Sequence, residues 1–314
     1  MIIKKVALYT IVSLSGLVFL TACQAISINS PVNFSGTPIA PGAMAPAPLP
    51  DYRMGDKYYY SNGSYDKITK LGPNIVEWEN NAKRRSVTTT DPMAPELYLE
   101  TRTREYAKTS DPSVGDIWPL AVGKTSSFAT NVRYRTKETG TEGDFRQLWG
   151  CTVESAEKVR VLAGIFDTYR VSCQRKSRSL RTGKTYYRQT VVYHYAPEIG
   201  NYVRYQSTTK GKSIYVRELI AIRPDIGFLD DQTARNIRHT FQDALENKQN
   251  DQTVSWKSKN GKITTSTTPT QTFQSADGKF CRNYKQFANQ GDGERLYVGV
   301  ACREDKLKWL TPRR

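Results

Sequence analysis

The sequence predicts a mainly β (α+β) protein, a curved antiparallel sheet or partial barrel followed by a small helix-plus-β-meander domain. Three observations carry this. Short runs alternate an aromatic or β-branched residue with a polar or basic one, turn dipeptides punctuate them, and a single stretch near residue 240 has helical period instead.

The N-terminus is read first as an export signal. Lys4 and Lys5 precede an apolar run from Val6 to Leu20, the charged-then-apolar order of a secretory signal. Thr10, Ser13, Ser15 and Gly16 dilute the run, and it is shorter than the roughly 20 apolar residues of a spanning helix. It closes on Leu20-Thr21-Ala22-Cys23, which resembles a lipobox. Residues 1–22 are therefore expected to be removed and Cys23 acylated, so that the chain reaches a membrane through an N-terminal lipid. Gln24 follows; by resemblance to Gram-negative lipoproteins, a residue other than Asp at that place implies the outer membrane. From residue 23 to 50, six prolines (Pro31, Pro38, Pro41, Pro46, Pro48, Pro50) stand among Ala, Gly and Ser, a composition that predicts an extended tether.

Residues 51–225 are expected to form the antiparallel β domain. Tyr58-Tyr59-Tyr60 leads into the hairpin signal Asn62-Gly63, and further β-like runs lie at 132–135, 168–171, 190–193 and 202–205. Alternation predicts one packed face and one wet, positive face. Trp118-Pro119-Leu120-Ala121-Val122-Gly123-Lys124 is read as an ordered loop leading into the longest strands. After Arg223-Pro224 the period changes, which places a domain boundary near 225. Ala234, Ile237, Phe241, Ala244 and Leu245 recur at helical spacing between Asp231 and Lys248, with Asp230 or Asp231 as N-cap. His239 falls on the polar face of that helix. Asn260-Gly261, Asp277-Gly278 and Gly291-Asp292 then mark the turns of a meander within residues 226–314.

Trp256, Asn260-Gly261, Thr267-Thr268-Pro269-Thr270, Cys281-Arg282-Asn283-Tyr284, Gly299-Val300-Ala301-Cys302-Arg303 and Trp309, taken in order, resemble the C-terminal domain of the rickettsial surface-antigen lipoproteins of seventeen-kilodalton type, over about residues 229–310. The resemblance implies an antigenic envelope lipoprotein. The glycine-rich, membrane-associating segment of that family has no counterpart here, and a tyrosine-rich β domain occupies its place. The phrases 161–169 and 195–200 are similar to β-rich periplasmic domains of other bacterial proteins.

Four cysteines remain once Cys23 carries lipid, an even number in an oxidising compartment. Local pairs are expected. A two-residue loop at Gly291-Asp292 puts Cys281 directly opposite Cys302, in a close non-hydrogen-bonded pair. Cys151 with Cys173 requires an odd loop near Leu162-Ala163-Gly164 or a bulge. Metal ligation is not expected, because His194 and His239 are the only histidines and neither lies near a Cys pair.

The chain has 46 basic and 30 acidic residues, a formal charge of +16, which favours polyanions. In an exported protein these are lipopolysaccharide, anionic lipid or peptidoglycan, not nucleic acid. Arg133, Arg135, Arg170, Arg188 and Arg204 are expected to form the basic sheet face. No Gly-x-Ser-x-Gly elbow, phosphate-binding glycine loop or His-rich motif is present, so neither enzyme activity nor a cofactor is expected. The preferred reading is a structural or interaction module. Its alternative is a periplasmic carrier or chaperone holding a lipid or lipidated partner in a half-barrel, for which an apolar groove above ~300 Å³ is required.

Overall fold

The computed structural model describes residues 36–40, 42–111, 117–304 and 308–312. The export signal, Cys23 and the first part of the expected tether lie outside the described residues. A two-residue strand, β1 (Thr37–Pro38), precedes twelve strands that close a barrel in chain order. These are β2 (Lys57–Tyr60), β3 (Tyr65–Leu71), β4 (Ile75–Asn80), β5 (Arg85–Thr89), β6 (Tyr98–Glu100), β7 (Arg104–Asp111), β8 (Thr125–Thr136), β9 (Glu142–Val161), β10 (Gly164–Arg178), β11 (Thr185–Ala196), β12 (Asn201–Thr209) and β13 (Tyr215–Arg223). Each pairs antiparallel with the next, and β13 returns to β2 with Leu219 opposite Tyr60 and Arg223 opposite Lys57. The sheet expected to be curved or partly closed is thus fully closed, which pairs the edge strands of the ring with each other.

Alternation sets the two faces. Phe128 and Val132 of β8 and Trp149, Cys151 and Val153 of β9 are buried, whereas Thr125, Ser127, Asn131 and Arg133 between them are exposed. A membrane-spanning barrel turns an apolar band outward; these outward positions are polar or charged. One end of the lumen is filled. The connection between β5 and β6, residues 90–97, folds inward so that Asp91 and Met93 are buried, and Met93 N–H donates to Asp91 Oδ1 at 2.8 Å.

Residues 36–40 and 42–50, read from sequence as part of an extended tether, are instead a strap packed on the barrel. Thr37 lies opposite Lys158 on β9. Ala47 exchanges backbone hydrogen bonds with Leu120, and the Tyr169 hydroxyl donates to the carbonyls of Met44 and Ala45. The reason is local: proline holds the backbone extended and removes N–H groups, leaving carbonyls for tyrosine hydroxyls to satisfy.

The predicted helix is α1 (Asp231–Asn247). Asp230 is its N-cap, accepting from Thr233 N–H at 2.9 Å, which satisfies one of the unpaired N–H groups of the first turn. Phe241 and Leu245 pack on Tyr284, Ala301 and Trp309. The meander follows as β14 (Val254–Lys257), β15 (Thr264–Gln274), β16 (Phe280–Asn289), β17 (Glu294–Glu304) and β18 (Lys308–Leu310). The boundary near 225 marks a change of element and no gap in packing. Ala288, Tyr297 and Val298 belong to the same buried cluster as the barrel interior, and Tyr297 donates to Asp56 at 3.1 Å. Ala221 of β13 pairs with both Tyr59 and Gly299. A Cβ at 299 would stand 2.6 Å from that of Ala221, so only glycine permits the join.

Both disulfides are local: Cys151–Cys173 and Cys281–Cys302, with Cα separations of 4.0 and 3.9 Å. For the first, a two-residue turn at Leu162-Ala163 is followed by a bulge that leaves Glu154 unpaired between Arg170/Ser155 and Val171/Val153. That extra residue supplies the odd count the pairing demands. For the second, the register is the expected one, but the ladder stops at Asn289/Glu294. The loop is four residues, with Gly291 and Gly293 at φ 106° and 105°, where a side chain would be strained.

Candidate binding site at one end of the barrel

Antiparallel order sends every second hairpin to the same end. The tips at 61–64, 81–84, 101–103, 137–141, 179–184 and 210–214 therefore form a crown. The crown holds Lys83, Arg84, Arg102, Lys137, Arg181, Lys184, Lys210 and Lys212, all exposed, against the single acid Glu138. Arg84 and Lys137 reach carboxylates at 2.8 and 2.6 Å. The other six basic side chains have no ion pair among the described residues. The described connections at the opposite end, those before β2 and after β13 included, carry Asp51, Asp56, Asp91, Glu198, Asp225 and Asp230 against Arg53 and Lys124, so the two sets of connections differ in sign. Because β1 runs beside the second half of β9, the strap reaches the barrel at this acidic end.

The five arginines expected to share a basic face do not all do so. Arg133, Arg135 and Arg188 are exposed close to the crown. Arg170 is half-buried and bound to Glu154 at 2.7 Å. Arg204 is buried; its Nε donates to Glu218 at 2.8 Å and its Nη2 to the Arg160 carbonyl at 3.0 Å. Both faces of β12 are covered from Asn201 to Arg204, and alternation ceases to separate wet from dry where a second layer lies outside the sheet. Arg146, Lys176 and Arg178 were missed. They are exposed, and register places Arg146 opposite Arg178 and Lys176 opposite Arg188.

Inside the crown a cavity of about 290 Å³ opens between β2–β5 and β9–β13 and is floored by residues 92–96. Exposed Tyr215 and Arg84 stand among its lining residues. Its walls combine rings of Trp78, Trp149 and Tyr193 with polar Gln189, Asn201 and three arginines. Arg217 is bound to Asp66 at 2.9 Å and lies 4.0 Å over the Tyr60 ring. Glu96 takes both Arg84 and Lys108. Burial alone would raise its pKa, but Lys108 and then Arg84 hold it down to about 2, so it stays charged. Arg175 lies between Trp149 and Tyr187, 5.3 and 5.1 Å from their ring centres. This lining is too polar for the apolar groove that an acyl-chain carrier needs.

On the outer face of the sheet, under the strap, His194 is fully buried on β11 with Glu157 Oε2 3.5 Å from its Nε2. Glu157 accepts the strap's Gly36 N–H at 3.0 Å. Burial, then the Arg204 guanidinium, push the His194 pKa from 6.5 down to about 4. The folded imidazole is therefore neutral where the unfolded one is already charged, so stability is lost as pH falls from 6.5 towards 4. By pH 4.5 this amounts to about 2–3 kcal/mol. His194→Gln should flatten that part of the curve in denaturant titrations; a pH dependence identical to the parent's contradicts the assignment.

The family model described as 17 kDa outer membrane surface antigen matches residues 243–310. The chain is 30% identical over 81 residues to the 17 kDa surface antigen of Rickettsia conorii, covering 26% of this chain and 51% of that one. It is 32% identical over 76 residues to the 17 kDa surface antigen of Rickettsia amblyommatis, covering 24% and 49%. The chain thus spans about half the length of the curated relatives it matches. Among solved structures, the hypothetical lipoprotein YmcC of Escherichia coli K12 aligns with a TM-score of 0.38 and 11% identity over 54% of this chain and 83% of that one. What is similar to the 17 kDa surface antigens is the C-terminal unit, from the end of α1 to Leu310, with the Cys281–Cys302 bridge and both Cys-Arg elements inside it.

Proposed function

We propose that this chain is a non-enzymatic envelope lipoprotein, anchored at the outer membrane through acylated Cys23, whose barrel crown docks on an anionic envelope component. The similarity of its C-terminal unit to 17 kDa outer membrane surface antigens supports the compartment, and Leu20-Thr21-Ala22-Cys23 supports the anchor. The observation that carries the docking reading is the set of six unpaired basic side chains on hairpin tips at one end. Repulsion among like charges gathered on loop tips is unfavourable unless a counter-charge is supplied, and an anionic surface supplies it.

The strap fixes the geometry of this reading. It meets β9 at Lys158, while the hairpin that β9 shares with β8 begins at Glu142. Sixteen residues of strand at about 3.3 Å each, tilted by about 35–45° to the axis of a closed barrel, separate the crown from the point where the strap joins by roughly 40 Å.

The test uses the chain from residue 23 onward with Cys23→Ser, retained on lipopolysaccharide, anionic vesicles or peptidoglycan. Exposed charges are screened over ~8 Å at physiological ionic strength, so retention should fall steeply as salt rises. Reversal of four tips (Arg181→Glu, Lys184→Glu, Lys210→Glu, Lys212→Glu) should abolish it. Salt-insensitive retention, or retention unchanged by the reversal, contradicts docking by the crown.

A further inference from the structure

We infer that the cavity within the crown is a binding site for a single carboxylated sugar ring, with Arg175 receiving the carboxylate and Trp149 facing the ring. Three features of the wall lead there. The first is an uncompensated charge. Of the three lining arginines, Arg84 and Arg217 are each held by a carboxylate, whereas Arg175 has none within 4.0 Å among the described residues. Its guanidinium carbon lies 5.3 Å from the Trp149 ring centre and 5.1 Å from that of Tyr187, so aromatic rings flank a fork suited to a planar, two-oxygen acceptor.

The second is a pair of orphaned donors. Arg175 Nε and Trp149 Nε1 are both buried without a hydrogen-bond acceptor. A buried donor left unmade is costly, and it is satisfied when a ligand brings acceptor oxygens to it. Arg175 and Trp149 stand directly opposite one another on β10 and β9, so both donors belong to one stretch of the cavity wall. The third is the mixture of surfaces. Aromatic rings alternate with the side-chain amides of Gln189 and Asn201 and with tyrosine hydroxyls that burial keeps protonated, Tyr193 among them. A pyranose presents the matching surfaces, C–H faces to rings and hydroxyls to amides and phenols.

Size and charge narrow the class. At about 290 Å³ the cavity lies at the lower edge of small-molecule sites, which run ~300–1,000 Å³, so it takes one ring and not an acyl chain. One unpaired guanidinium balances one negative charge. A phosphate monoester carries close to two charges near neutral pH, twice what this one guanidinium balances. A carboxylate is therefore selected over a phosphate. The crown around the mouth raises the local concentration of any anion. The site is nonetheless distinct from crown docking, and the two fail separately in the test.

The experiment measures binding to the full chain in detergent, by tryptophan fluorescence and calorimetry, with D-glucuronate, D-glucose, glucose 6-phosphate and benzoate as probes. Glucuronate should bind saturably, and the other three at least tenfold more weakly. Arg175→Gln should weaken glucuronate at least tenfold, and Trp149→Phe, which keeps a ring but removes the N–H, several-fold. The four-tip reversal should abolish retention by the crown yet leave saturable glucuronate binding, lowered by the lost local charge, that Arg175→Gln still weakens at least tenfold, which separates failure of the crown reading from failure of this one. The inference is overturned if glucose or benzoate binds as well as glucuronate, if glucose 6-phosphate is preferred, if no probe saturates, or if Arg175→Gln and Trp149→Phe, each folded by circular dichroism, both bind like the parent.

Discussion

Replacing Glu218 by alanine is expected to destabilise the fold by about 3–5 kcal/mol, the usual consequence of leaving a buried charge without its partner. Arg204 and Glu218 stand directly opposite one another on β12 and β13, and their side chains are only 6% and 19% exposed. The Arg160 carbonyl satisfies one further guanidinium donor but offers no countercharge. The double variant Arg204→Met/Glu218→Leu, which fills the same volume with apolar groups, should recover most of the loss. Urea denaturation of the three proteins decides the matter. A Glu218→Ala variant within about 1 kcal/mol of the parent would place the Arg204 charge in contact with water and would return it to the basic surface expected from sequence.

Breaking the Cys281–Cys302 bridge is expected to have an effect of similar size. The bridge closes a loop with a sequence separation of 21, for which the chain-entropy relation gives about 3 kcal/mol, less where the hairpin persists in the unfolded ensemble. The paired variant Cys281→Ser/Cys302→Ser is the correct comparison, because a single replacement leaves a free thiol. Both sulfurs sit in a small buried cluster with Ile220, Ala221 and Val300, so the loss should include packing as well as loop closure. Peptide mapping without reduction should recover 281 joined to 302 and 151 joined to 173. A cross-link between 151 or 173 and 281 or 302 is incompatible with the register of both hairpins.

Much of the architecture was legible because it is written locally. Period-two alternation located the strands that hold residues 58–60, 132–135, 168–171, 190–193 and 202–205, and period 3.6 with an acidic cap located α1. Counting residues across a turn is also local, which is why Cys281 opposite Cys302 could be derived and why a bulge could be anticipated before Cys151. The failures share a different cause. Strap residues 36–40 and 42–50, and Arg204, depend on what lies across the outer surface of the sheet, and alternation along one strand has no information about a second layer. The crown was hidden for the same reason: Lys83, Arg102, Arg181 and Lys210 are far apart in sequence, and only the closure of the ring gathers their hairpins. For the cavity, Arg175 carried no local mark at all. Its distinction lies in what it lacks, a carboxylate, and that is a property of three dimensions.

The seam between β13 and β2 has a consequence for assembly. Every other junction in the ring joins strands adjacent in sequence, but Tyr60 meets Leu219, a partner that the chain supplies 159 residues later. Until then β2 and the growing edge of the sheet both present unpaired backbone groups and a tyrosine-rich surface to any neighbouring chain. Non-local closure of this kind is the slow step in β topologies. The chain passes that interval as an open, adhesive ribbon, so its folded yield should depend on how well those edges are shielded during folding more than on the final stability of the barrel.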